Sequence, residues 1–230
     1  MAKKKKEAEQ DEVIVDVEEV YSKTEDFINQ NQNAILGVIG VIVAIVVAFY
    51  AYNRVYLEPL EEEAHGQMFM AEQYFQKDSF ELALLGDGNY LGFVDIADEY
   101  GNTSAGNLAH YYAGICYLRT GQYEEAIEEL ESYDGGGQML GAVALGAIGD
   151  AYMEQDDVEE ALSYYEKAAN YSTNDFTTPV YLQKAGFAAE KAGNFDKAID
   201  YYSQVKDKYP TTNEGRNADK YIARAEANLN

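Results

Sequence analysis

This chain of 230 residues has only one thiol and two imidazoles, a single cysteine and two histidines. A lone Cys116 rules out an intrachain disulfide framework and fits either redox compartment. It sits on an apolar helical pattern, where a thiol packs, and too far from the N-terminus to carry the lipid of a mature lipoprotein. His65 and His110 stand apart on helical patterns and read as packing or surface residues. No phosphate-binding loop or dinucleotide fingerprint occurs, and Asp134-Gly-Gly-Gly137 lacks the lysine and hydroxyl that phosphate binding needs. The sequence therefore predicts no catalytic residue, no metal site, no cofactor and no enzymatic activity. Positive charge is scarce too: 17 Lys and Arg face 41 Asp and Glu, a formal net charge of −24. Five of those basic and nine of those acidic side chains lie in residues 1–33, which leaves twelve and 32, a net of −20, for the rest. Such a surface is repelled by phosphate backbones and anionic lipid, which argues against nucleic acid as a partner.

What is present first is a single uncharged run, residues 34–52, AILGVIGVIVAIVVAFYAY. As a helix it measures about 28 Å, close to the hydrocarbon thickness of a bilayer. It begins too late and runs too long for a cleaved signal peptide, and is followed by aromatics and Arg54 instead of a small-residue cleavage site. Tyr50, Tyr52 and Tyr56 stand where an interfacial aromatic belt would lie. Its small residues recur at three- and four-residue steps, so Gly37, Gly40, Ala44 and Ala48 share one sector, a candidate face for docking on another spanning helix. Lys3 to Lys6 favour a cytoplasmic N-terminus, while Lys23 and Arg54 nearly cancel across the span. The predicted organisation is a tail over 1–33, a transmembrane helix over 34–52, a juxtamembrane start over 53–63 and a soluble domain over 64–230. From Val17 the tail spacing suits a weakly amphipathic helix.

Beyond the span one pattern repeats. Tyr117 precedes Ala126 by nine residues, Tyr152 precedes Ala161 by nine, Ala189 precedes Ala198 by nine, and Tyr74 precedes Ala83 by nine. The four alanines are 43, 35 and 37 residues apart. Gly114, Gly149 and Gly186 stand three residues before the first member of three of these pairs, and Tyr165, Tyr202 and Pro210 follow. This set resembles the tetratricopeptide repeat, a helix–turn–helix unit of about 34 residues, although the opening tryptophan is replaced by His110, Leu145 and Leu182. The resemblance implies an all-α chain: a transmembrane helix, then an α-solenoid of about four hairpins with a capping helix over 214–228. The first copy is distorted by Gly86-Asp87-Gly88-Asn89, whose loose likeness to a calcium loop lacks a full ligand set. Repeats of this kind present their first helices along a concave surface that holds polypeptide. Counting along the units places Tyr111, Ile115 and Arg119, then Asp150, Met153 and Glu154, then Gln183, Phe187 and Lys191 on that surface. The mixture favours an amphipathic segment as ligand.

Tail, span and repeat domain together are similar to the YfgM-type ancillary subunits of the Sec translocon. That resemblance implies a bacterial inner-membrane protein with a periplasmic repeat domain. Its implied partners are the SecYEG channel, a PpiD-type membrane-anchored chaperone and unfolded polypeptide clients. A scaffold of envelope biogenesis or cell division, with no secretory client, is the alternative reading of the same architecture.

Overall fold

The computed structural model describes residues 17–229, and every element among them is helical. The run Lys3 to Lys6 and the start of the tail lie outside the described residues. The chain divides into two compact units, one ending at Tyr56 and one beginning at Leu57.

The first unit is dominated by α1, Val17–Tyr52, which is 36 residues long and so about 54 Å. A π-helical turn, Asn53–Leu57, follows it. Polar Asn31 and Asn53 remain compatible with helix because each side-chain amide donates back to the carbonyl four residues earlier, Phe27 and Phe49. The helix holds an 18-residue window of mean hydropathy 2.8, none of it buried. Among the described residues it is the one helix long and apolar enough to cross a membrane.

The second unit is a stack of helical hairpins. Its elements are α2 (Glu58–Phe75), α3 (Phe80–Leu85), α4 (Phe93–Tyr100), α5 (Ser104–Thr120), α6 (Tyr123–Ser132), α7 (Gln138–Glu154), α8 (Val158–Tyr171), α9 (Thr178–Lys191), α10 (Phe195–Lys208) and α11 (Asn213–Leu229). Pro59 and Pro179 sit in the first turns of α2 and α9, where a missing N–H costs nothing. Asp157 and Asn194 cap α8 and α10 by accepting from the N–H groups of Glu160 and Lys197. The turns inside the hairpins share one device, a left-handed residue: Asp78, Gly121, Asp156 and Gly193 all have positive φ. The aspartates adopt at some cost what glycine adopts freely.

The repeat alanines Ala83, Ala126, Ala161 and Ala198 are all fully buried. The glycines explain the packing. A Cβ on Gly114, Gly149 or Gly186 would lie within 3 Å of Leu130, Tyr165 or Tyr202 respectively, each sixteen residues later on the partner helix. Bare backbone on the first helix is thus what admits a large side chain from the second. The domain core forms three buried clusters, one around α2 to α5, one joining α5, α6 and α7, and one from α7 to α11. In α11, Ala218 and Ala225 are buried, with Tyr221 and Ile222 packed against the same cluster, so a helix stands where the sequence predicted one over 214–228.

The distorted first copy is a helix cut in two. α3 ends at Leu85, capped by Gly86, and α4 restarts at Phe93 against α5. The Asp87 carboxylate holds the intervening turn: it accepts from the N–H groups of Asn89 and Tyr90 and from the Tyr74 hydroxyl at 2.8 Å. Those bonds, the Asn89 N–H foremost, hold its carboxyl below the usual range.

Candidate functional site: an aromatic groove across three repeats

The first helices α5, α7 and α9 line a groove of about 850 Å³. Seven of the nine residues expected on the concave surface line it: Tyr111, Ile115, Arg119, Asp150, Met153, Glu154 and Phe187. Gln183 is not among its lining residues. Lys191 turns to the hairpin turn of the preceding repeat, with its ammonium 2.5 Å from Asp156. That ammonium, by hydrogen bond and charge, holds the Asp156 carboxyl below its usual range.

Counting missed Phe75, Leu118, Tyr123, Val143, Ala147, Tyr165, Tyr181 and Lys184, which complete the lining. Two of these, Tyr165 and Lys184, form its polar centre with Asp150. The Lys184 ammonium lies 2.6 and 2.7 Å from the two carboxylate oxygens of Asp150, and the Tyr165 hydroxyl donates to the same carboxylate at 2.7 Å. Residues of α7, α8 and α9 meet there, so the network ties two repeats together. Burial first, then the adjacent Asp150, pushes the Tyr165 hydroxyl far above the ordinary tyrosine range. Burial, Asp150 and Tyr111 do the same for Tyr181. Both phenols are therefore neutral at any physiological pH and act as hydrogen-bonding groups only.

Tyr181 owes its place to Gly146, whose Cβ would overlap the ring edge and hydroxyl. The residue is 7% exposed, and its hydroxyl, which has no protein partner among the described residues, keeps access to solvent in the groove. Phe187 closes the far wall, with its ring 5.0 Å from Tyr221 and under the Arg224 guanidinium. Arg224 in turn pairs with Glu190 at 2.6 Å.

The remaining sequence candidates lie elsewhere. Gly37, Gly40, Ala44 and Ala48 are exposed on α1, and open space surrounds the two glycines. Cys116 is buried, and burial pushes its thiol up to about 12. His110 meets Glu129 at 2.7 Å, and His65 meets Glu61 at 3.0 Å. Glu61 also accepts from the first N–H groups of α5, those of Ser104 and Ala105. Among the described residues no three His, Cys, Asp or Glu side chains converge as metal ligands.

Family models of the tetratricopeptide repeat match residues 96–138, 144–178 and 181–212. The matched residues are tetratricopeptide repeats, a fold that typically serves as an interaction scaffold. A crystal structure of nearly identical repeats ascribed to a Podosopora anserina kinesin light chain superposes with a TM-score of 0.57 at 15% identity, covering 74% of this chain and 88% of that one. A point variant of the same protein gives 0.56 at 15% identity, covering 74% and 87%. Over 55 residues the chain is 44% identical to mouse tetratricopeptide repeat protein 21B, which is 24% of this chain but only 4% of that protein's length.

Proposed function

We propose that this protein is a membrane-anchored docking module whose repeat domain holds a polypeptide segment in the groove of α5, α7 and α9. The observation that carries this reading is the accessible aromatic lining, Tyr111, Tyr181 and Phe187 with Ile115 and Met153, in a fold whose first helices serve as a binding surface. Nothing in the groove brings a nucleophile, a base and an oxyanion donor together, so holding, not bond-making, is its chemistry.

In this reading α1 crosses the membrane through residues 34–52. Residues 1–33 lie in the cytoplasm and the repeats in the periplasm of a bacterial inner membrane. Gly37, Gly40, Ala44 and Ala48 dock on a neighbouring spanning helix, for which their exposure and the open space around the glycines leave room. The architecture supports an accessory role at the Sec translocon, where the protein links the SecYEG channel to a PpiD-type chaperone or holds emerging chains.

A photocrosslinking amino acid at Tyr111 or Phe187 in intact cells tests the groove. The reading expects crosslinks to secreted or envelope polypeptides and to translocon-associated chaperone. Crosslinks to cell-division or envelope-assembly proteins alone would favour a scaffold instead. Protection of the repeat domain from protease in spheroplasts would overturn the assigned topology.

A further inference from the structure

We infer that the groove accepts an uncharged, apolar polypeptide segment and reads it partly through its backbone, with the Tyr181 hydroxyl as the hydrogen-bonding contact. This rests on the docking role proposed above and names its ligand class. The first observation is a contrast of charge. The chain beyond residue 33 carries a net of −20, yet the groove lining contains two cations and two anions. Of these, Asp150 and Lys184 neutralise each other in bidentate contact, and Tyr165 takes up a further lone pair of Asp150. An incoming ammonium or carboxylate would have to compete with that pair and would gain little. Only Arg119 and Glu154 remain, of opposite sign, at the exposed C-terminal ends of α5 and α7. The lining is thus a neutral, aromatic strip on an otherwise acidic body, complementary to a segment with no charge of its own.

The second observation is the Tyr181 hydroxyl. The ring is more than nine-tenths buried on the bare backbone of Gly146, and it lines the groove. The hydroxyl keeps its access to solvent in the groove and has no protein partner among the described residues, so a ligand's backbone amide can take the place of water there. A peptide backbone supplies donors and acceptors along its whole length, whatever its side chains, while its apolar side chains cover Ile115, Met153 and Phe187. A ligand recognised this way is selected by lack of charge and by apolar character more than by exact sequence.

Calorimetric titration of the full-length protein in nanodiscs tests this with a short blocked peptide of serine, leucine and tyrosine. Two length-matched peptides, in which the serines become lysine or aspartate, serve as comparisons. The uncharged peptide should bind, and both charged peptides should bind at least tenfold more weakly. Tyr181→Phe keeps the ring and removes the hydroxyl. It should weaken the uncharged peptide about threefold to tenfold, the worth of one hydrogen bond, with an unchanged melting profile. Equal or tighter binding of a charged peptide, lost on Met153→Ser, would overturn the ligand class while leaving the docking groove in place. Unchanged affinity in Tyr181→Phe would overturn the backbone contact. No binding of any of the three peptides would remove the docking role itself.

Discussion

At the scale of single residues the domain is organised by where side chains are missing. Gly114, Gly149 and Gly186 repeat one solution, a gap on the first helix of a hairpin filled by Leu130, Tyr165 or Tyr202 from the second. Gly146 applies it between repeats, by seating Tyr181. A methyl there overlaps a ring that has little room to retreat, so Gly146→Ala should destabilise the domain by about 1–3 kcal/mol. Gly66 provides the control. It lies inside α2, is exposed, and has nothing within 4 Å of its missing Cβ. Gly66→Ala should therefore stabilise by about 0.5–1 kcal/mol through helix propensity alone. Urea midpoints of the two variants should move in opposite directions; movement in the same direction would mean that contact with Tyr181 is not what fixes Gly146. The nine-residue spacing and the small residues were legible in the sequence because both are local to one hairpin and recur. Gly146 was not, because its partner lies in the next repeat.

At the scale of elements, neighbouring repeats are clamped by polar contacts one repeat apart. Lys184 to Asp150 spans 34 residues, Lys191 to Asp156 spans 35, Tyr201 to Glu166 spans 35 and Arg224 to Glu190 spans 34. This register explains what the sequence yielded about the groove and what it withheld. Counting on α9 in steps of four gave Gln183, Phe187 and Lys191. A helix turns once in 3.6 residues, so an inward face mixes steps of three and four, and on α9 it runs in threes. The residues that line the groove are Tyr181, Lys184 and Phe187, and Lys191 has rotated toward the clamp at Asp156. Pairing each charge with positions 34 or 35 residues away would have found Lys184. At the end of the described stack, α11 packs on α10 and α9. Its Arg224 pairs with Glu190 and lies 5.0 Å from the Tyr221 ring and 5.5 Å from the Phe187 ring. Lysine keeps the charge but not the planar fork or its stacking. Arg224→Lys should cost about 1 kcal/mol or more, from the lost stacking and bidentate geometry together. It should also speed amide exchange in α11 ahead of the other helices; uniform exchange across α9 to α11 would show that the clamp is not local.

At the scale of the whole molecule, the repeats bury phenols between helices, and this sets how the domain responds to alkali. Burial, then the hydrogen bond to Glu166, pushes the Tyr201 hydroxyl up to about 12, and burial raises Tyr165, Tyr181 and Tyr202 as well. Burial likewise pushes the Cys116 thiol up to about 12. In the unfolded chain a thiol ionises near pH 8.5 and a phenol near pH 10, each value about that of a free side chain. Between those values and the folded ones the unfolded state has released protons that the folded state keeps. The folded state binds more protons in that window, so stability must fall as pH rises. The contribution is whole below about pH 8.5, begins to decline with the thiol, and steepens once the phenols titrate above about pH 10. The acidic surface adds to the same slope, because each new phenolate joins a body that is already strongly negative. Urea midpoints measured from pH 7 to pH 11 should therefore be level at first and then drop, with most of the drop in the last unit. Added salt should soften the part due to surface repulsion and leave the part due to buried phenols. Exposed phenols such as Tyr90 and Tyr171 should ionise first, and the last part of the phenolate absorbance should rise together with loss of helical signal, since the buried rings cannot ionise until the stack opens. Phenolate that formed fully while the helical signal held would show that the rings between the repeats are wet, and the packing argument that begins with Gly149 and Gly186 would fail with it.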